Sequence, residues 1–246
     1  MKLPILRVDP DDIPAYAIVC GDPFRAENIA GRLEDARELA FAREYRTFVG
    51  RYDGVELAVA SHGVGSPGAA VCFEELARAG VRTIIRVGTA GSLSPAYPAG
   101  SLIVSTAAVR EDGLTKQLVP PGFPAVADSA VTEALYREAA ALGGRVGKGI
   151  TATFDAFYTG VVELPHAAYA KAGVLAVEME IAALYVIAAL RGMRAGAIVA
   201  LDGDADAVDE AYNPHRDIVA EAVERGIVAA LRAVASLARA DAPAAG

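Results

Sequence analysis

The stretch "ELAVASHGVGSPGAAVCFEELARAGVRTIIRVGTAGSL", Glu56 to Leu93, decides the fold. Two short apolar runs, "ELAVAS" and "TIIRVG", have the length and β-branched content of buried strands. Between them "PGAAVCFEELARAG" carries the apolar spacing of an amphipathic helix opened by a proline. Strand, helix, strand at this spacing is the unit of a parallel sheet with helical layers. Working outward, "AYAIVCG", "SLIVSTAAV", "VLAVE" and "AGAIVALDG" read as further strands. The segments "PFRAENIAGRLEDA", "AVTEALYREAAALGG" and "MEIAALYVIAALRG" read as helices. A last helix spans roughly Pro214 to Ala238, and the tail "DAPAAG" reads as frayed. The pattern predicts an α/β fold: one three-layer α/β/α domain over residues 1–246, with a mixed, largely parallel central sheet.

Composition narrows the function classes. The chain is 54% hydrophobic, ample for one large core. No apolar run is long enough to span a bilayer, and the acidic start "MKLPILRVDPDD" does not resemble a secretory leader, so a cytoplasmic protein without membrane contact is expected. A formal charge of −8 disfavours nucleic acid as a partner. Cys20 and Cys72 both sit in apolar segments, and no Cys/His cluster has metal-ligand spacing, so neither a disulfide framework nor a metal site is expected.

Polar residues gather at the ends of the strands, where open α/β sheets bind ligands. Gly21-Asp22-Pro23 with Arg25 is either an anion site at a helix N-terminus or a simple turn with a solvated arginine. Arg86 interrupts a strand buried on both faces and requires an anionic partner; a phosphate held with Thr89 and the Gly88/Gly91 loop, or a structural ion pair, would each serve. Gly63, Gly65 and Gly68 match a dinucleotide fingerprint, but the following strand offers Arg86 where the fingerprint needs a ribose-binding acid, so the motif reads as a tight turn. In "VLAVEMEIAAL" the acids Glu178 and Glu180 flank Met179. One can accept hydrogen bonds from a sugar diol while Met179 packs on the sugar; a glycosidase pair is the other chemistry, although strand or helix geometry makes the two acids diverge. Asp202 in "ALDGDAD" reads as a general acid half-withdrawn from water or as an Asp-Gly turn. His62, His166 and His215 show no pairing, and His62 reads as structural.

Taken together, "GDPFRAENIA", "SHGVGSPGAAVCFEELARAGVRTIIRVGTAGSL" and "VLAVEMEIAALYVIAALR" resemble the nucleoside phosphorylase family of hexameric purine nucleoside phosphorylases and uridine phosphorylases, in order over nearly the whole chain. "SHGVG", "AAVRED" and "LDG" look most like the purine enzymes of apicomplexan parasites. The resemblance implies phosphorolysis of inosine or guanosine to free base and ribose 1-phosphate, a salvage reaction with phosphate as co-substrate and no cofactor. Uridine or broad-specificity phosphorolysis is the alternative, ahead of 5′-methylthioadenosine phosphorolysis or a nucleosidase. It also implies Gly21, Arg25, Arg86 and Thr89 around phosphate, Arg43 lent by a neighbouring subunit of a dimer-based homohexamer, and Glu178, Met179 and Glu180 at the ribose. Phe157 and Tyr158 would lie at the base, with Asp202 as the acid that protonates it and Asp204 as the other candidate. Val161 and Glu163 stand where uridine phosphorylases read uracil with glutamine and arginine, which disfavours pyrimidines. Ile5 stands near the family's N-terminal histidine, which leaves room for a 5′-modified sugar.

Overall fold

The computed structural model describes residues 1–206 and 212–242. Its hub is the strand expected from "TIIRVGTAGS", β5 (Thr83–Ser92), reached from β4 (Val55–Ser61) through the helix α2 (Ser66–Arg78). The parallel run is β4-β1-β5-β10, with β1 at Tyr16–Cys20 and β10 at Arg194–Asp204. Alternation along these strands creates the layers. Ala17, Val19 and Ile84 pack toward α2 and α6 (Ile181–Arg191), whereas Ile18, Cys20, Ile85 and Val87 pack toward α1 (Pro23–Ala30), α4 (Ser129–Ala141) and α7 (Asp217–Asp241). Side chains of successive strand residues point to opposite faces, so both faces of an apolar strand are covered by helices. This is the expected α/β/α arrangement, with the remaining short helices α3 (Gly113–Leu118) and α5 (His166–Lys171) at its margins.

The sheet also closes on itself in part. β10 pairs antiparallel with β6 (Leu102–Arg110), β6 pairs parallel with β8 (Val146–Thr153), β8 pairs parallel with β9 (Ala176–Glu178), and β9 returns antiparallel to β5. The two-residue β7 (Ala125–Val126) pairs with β6. Five strands therefore form a ring. On the edge of β5 away from β10, β1 pairs as far as Arg86 and β9 begins at Gly91, so residues 87–90 face a gap between two diverging strands. That gap is a topological switch point, where ligand sites of α/β sheets form.

Two expectations change. The helix expected over residues 23–36 stops at Ala30; "EDARELAFA" becomes β2 (Glu34–Ala42), antiparallel to β3 (Tyr45–Tyr52), which in turn joins β4. Helix-favouring Ala and Glu are overridden by the pairing that β3 offers, and Asp35 at φ 52° accommodates a register shift. The last helix runs three residues further than expected, to Asp241. Of the tail expected to fray, residues 243–246 lie outside the described residues.

Candidate active site

A cavity of about 780 Å³ opens at the gap beside β5. Of the residues expected to bind ligand, Gly21, Arg25, Arg86, Thr89, Phe157, Glu178, Met179, Glu180 and Asp202 all border it. Arg43 and Tyr158 do not. Arg43 sits at the β2–β3 turn with φ 58°, its side chain 76% exposed and Nε 3.5 Å from Glu44 Oε2. Tyr158 is exposed and meets Phe157 edge-on, with ring centroids 5.0 Å apart.

At one pole, Asp22 caps α1 by accepting the Phe24 N–H at 2.9 Å, which sets Arg25 in the first helical turn against the cavity. A Cβ on Gly21 would lie 3.1 Å from the Gly63 carbonyl, and one on Gly88 would collide with Arg86 Nη1 at 1.7 Å. Gly88 thus leaves the space into which the buried guanidinium folds. Arg86 donates through Nη2 to Glu180 and lies 3.4 Å from Glu178 Oε2, while its Nε and Nη1 have no partner among the described residues.

The expectation that Glu178 and Glu180 diverge is wrong, and the backbone explains why. The chain turns from β9 into α6 at Glu180, the helix N-cap at φ −144°, so both carboxylates reach the same arginine. Glu178 folds beneath the helix start: it accepts Glu180 N–H at 2.8 Å, Ile181 N–H at 2.9 Å and Thr153 O–H at 2.5 Å. It is the anion that a helix N-terminus favours. Glu180 accepts the Gly65 N–H at 2.6 Å, so the glycine turn that mimics a dinucleotide fingerprint presents its amide to a carboxylate. Burial pushes the Glu178 carboxyl above the usual range, against the pull of Arg86. Burial also pushes on Glu180, but Arg86, His62 and the Gly65 amide together hold that carboxyl below its ordinary value. One positive charge is divided between two buried acids. His62, wholly buried, has its Nδ1 2.9 Å from the Gly63 carbonyl, and burial next to Arg86 lowers its pKa to about 4.

At the other pole, β10 shifts register between Leu201 and Gly203, which turns Asp202 toward the cavity at 6% exposure. Tyr212 O–H donates to Asp202 Oδ2 at 2.8 Å, and Arg216 donates to the Asp202 carbonyl at 2.8 Å. Burial raises the Asp202 carboxyl above its ordinary value, with the Tyr212 hydrogen bond opposing. Asp204 is exposed and accepts the Asp206 N–H at 3.0 Å. Both candidate acids border the cavity, Asp202 nearly enclosed and Asp204 open to solvent. Tyr212, which borders the cavity, and Arg216, which holds the Asp202 backbone, escaped notice in the sequence because each comes from a loop or helix end with no periodic signal; His166, which carried no pairing signal in the sequence, also borders the cavity. Ile5 donates its N–H to the buried Glu75 at 3.0 Å and packs against the core on the α2 and α6 side of the sheet, outside the lining of this cavity. Both cysteines are free and buried, and no metal-binding group of acids, histidines and cysteines occurs among the described residues.

Known proteins show the same architecture. The family model described as the phosphorylase superfamily matches residues 15–238. A uridine phosphorylase of Thermococcus kodakarensis is 43% identical over 204 residues, 78% of this chain and 74% of its own length. A guanosine phosphorylase of Halorubrum lacusprofundi is 36% identical over 244 residues, covering 96% and 99%. The crystal structure of purine nucleoside phosphorylase from Toxoplasma gondii in complex with immucillin-H superposes with a TM-score of 0.93 at 36% identity, covering 97% of each chain. With its fold, its cavity at the switch point and its full-length similarity in agreement, the chain belongs to the phosphorylase superfamily.

Proposed function

We propose that the chain cleaves nucleosides with inorganic phosphate, releasing a free base and ribose 1-phosphate, with purine nucleosides such as inosine and guanosine as its substrates. The observation that carries this reading is the buried Arg86, whose Nε and Nη1 lack partners at a cavity wall shared with Arg25 and Thr89. Unsatisfied buried donors of a cation call for an anion. Phosphate is the co-substrate, and the site needs no metal for the steps below.

Breaking the glycosidic bond develops positive charge on the ribose. A phosphate held by Arg25, Arg86, Thr89 and the Gly21 backbone stabilises that charge and attacks C1′. Glu180 accepts the sugar hydroxyls with Met179 against the ring, while Glu178 holds the helix start that positions both. Phe157 packs near the base, with the exposed Tyr158 edge-on beside it. Asp202, protonated, gives its proton to purine N7 so that the base leaves neutral. Arg43 stands outside its own cavity on an exposed turn, suited to completing the phosphate site of a neighbouring subunit in a dimer-based hexamer. No described helix is long and apolar enough to cross a membrane, and a cytoplasmic enzyme fits the reading.

Uridine is the second substrate to consider, favoured by the similarity to an archaeal uridine phosphorylase. Against it, Val161 and Glu163 are exposed rather than set at the cavity. A 5′-modified nucleoside is a further candidate, because no histidine stands near Ile5. The test is direct. Purified protein should release hypoxanthine from inosine in phosphate buffer, with a rate that rises with phosphate and vanishes without it. Base release of equal rate in the absence of phosphate would mean hydrolysis and would sink the proposal.

A further inference from the structure

His166 opens α5 and is 7% exposed, yet it borders the main cavity. Its Nδ1 lies 2.7 Å from Asp206 Oδ1, and its Nε2 is buried with no partner among the described residues. The ring stands edge-on to Phe154 at 5.2 Å between centroids, and Phe154 also borders the cavity. A second cavity of about 580 Å³ shares His166, Asp204 and Asp206 with the first. The imidazole and its aspartate thus form part of the wall between two spaces.

A carboxylate at Nδ1 accepts a hydrogen bond, so the neutral ring carries its proton there and leaves Nε2 as a bare acceptor. A buried acceptor without a donor has lost its water and gained nothing in return, a loss that a ligand N–H recovers. We propose that His166 reads the base: its Nε2 accepts the ring N–H that lies next to a carbonyl in oxo bases, and so selects hypoxanthine, guanine or uracil over adenine or cytosine. Amino bases carry a bare nitrogen at that ring position, and two facing lone pairs repel. Asp206 acts through His166 by fixing the tautomer and is a positioning residue. Val161 and Glu163 are turned to solvent, which leaves the oxo edge to be read from this wall.

The inference rests on the nucleoside phosphorylase reading, and the two fail differently. With the wild-type enzyme, kcat/KM for inosine should exceed that for adenosine, and uridine that for cytidine. In His166→Phe, which keeps an aromatic ring beside Phe154, each ratio should fall about tenfold or more, through loss on the oxo substrate together with relief of the lone-pair repulsion on the amino one. A purely structural role lowers both members of a pair alike, and unchanged ratios overturn the inference while leaving phosphorolysis intact. Should the variant not fold, 1-methylinosine on the wild-type enzyme replaces it: without the N1–H, turnover must drop about tenfold or more against inosine, and equal turnover refutes the role. If no nucleoside is cleaved, the functional reading falls by itself. Calorimetry of free hypoxanthine against adenine then decides the base preference, with equal affinity counting against His166.

Discussion

Asp202→Asn should lose about 10²- to 10⁴-fold in kcat on inosine while keeping the wild-type fold and near-wild-type nucleoside affinity. Asparagine preserves the shape and still meets Tyr212, but it has no proton to give the leaving base. The pH profile separates this role from a merely structural one. Burial raises the Asp202 carboxyl, and only its protonated form is active, so kcat/KM should decline as pH rises through that pKa. The alkaline limb that belongs to Asp202 should be missing in the variant. Unchanged turnover, or an identical pH profile at lower rate, would remove Asp202 from the chemistry.

Arg86→Leu should be the most damaging single change to the fold around the site. It strands two carboxylates that the structure buries almost completely, and breaking a buried pair from one side costs about 3–5 kcal/mol. The pH dependence has a definite sign. Without the guanidinium, both Glu178 and Glu180 have folded pKa values above their unfolded ones, so the variant is best tolerated in acid and loses stability as pH rises past the ordinary carboxylate range. Thermal unfolding at pH 5 and pH 8 should therefore show a larger deficit at pH 8, and adding Glu180→Gln should recover part of it. Phosphorolysis should be absent in both variants even at pH 5, because the phosphate cation is gone. An Arg86→Leu protein as stable as wild type at pH 8 would mean that the three charges are not coupled.

The parts of this architecture that periodicity records were legible in the sequence. "TIIRVG" and "AIVCG" are buried on both faces and read as strands at once; "PGAAVCFEELARAG" shows its helix in its apolar spacing. β2 was not legible, because "EDARELAFA" has a helical composition and is a strand only through its partner β3. The candidate site divides in the same manner. Arg86, Glu178, Glu180 and Asp202 stand out as charges inside apolar runs, and a charge in such a place asks for an explanation. Tyr212 and Arg216 lie in a polar stretch where nothing marks them, and His166 shows no pairing with another histidine in sequence; only the folded chain brings the first two to Asp202 and His166 to the cavity wall. The shared use of Arg86 by both glutamates was hidden for another reason. It depends on the turn at Glu180, a conformation that spacing rules for regular strands and helices do not cover.

The ring formed by β5, β10, β6, β8 and β9 has a consequence for how the molecule opens. A closed circuit has no edge from which pairing can unzip, so the amides of β5 and β10 can reach solvent deuterium only when the circuit itself breaks. The β2–β3 hairpin lies at the outer end of the sheet and can detach alone. Native-state hydrogen exchange should show Arg43 and its hairpin exchanging through local openings, and Arg86 and Ala197, which face each other across β5 and β10, exchanging only at the free energy of global unfolding. The residue proposed to serve a neighbouring subunit would thus ride on the most readily released part of the sheet, and the chemistry on the part released last.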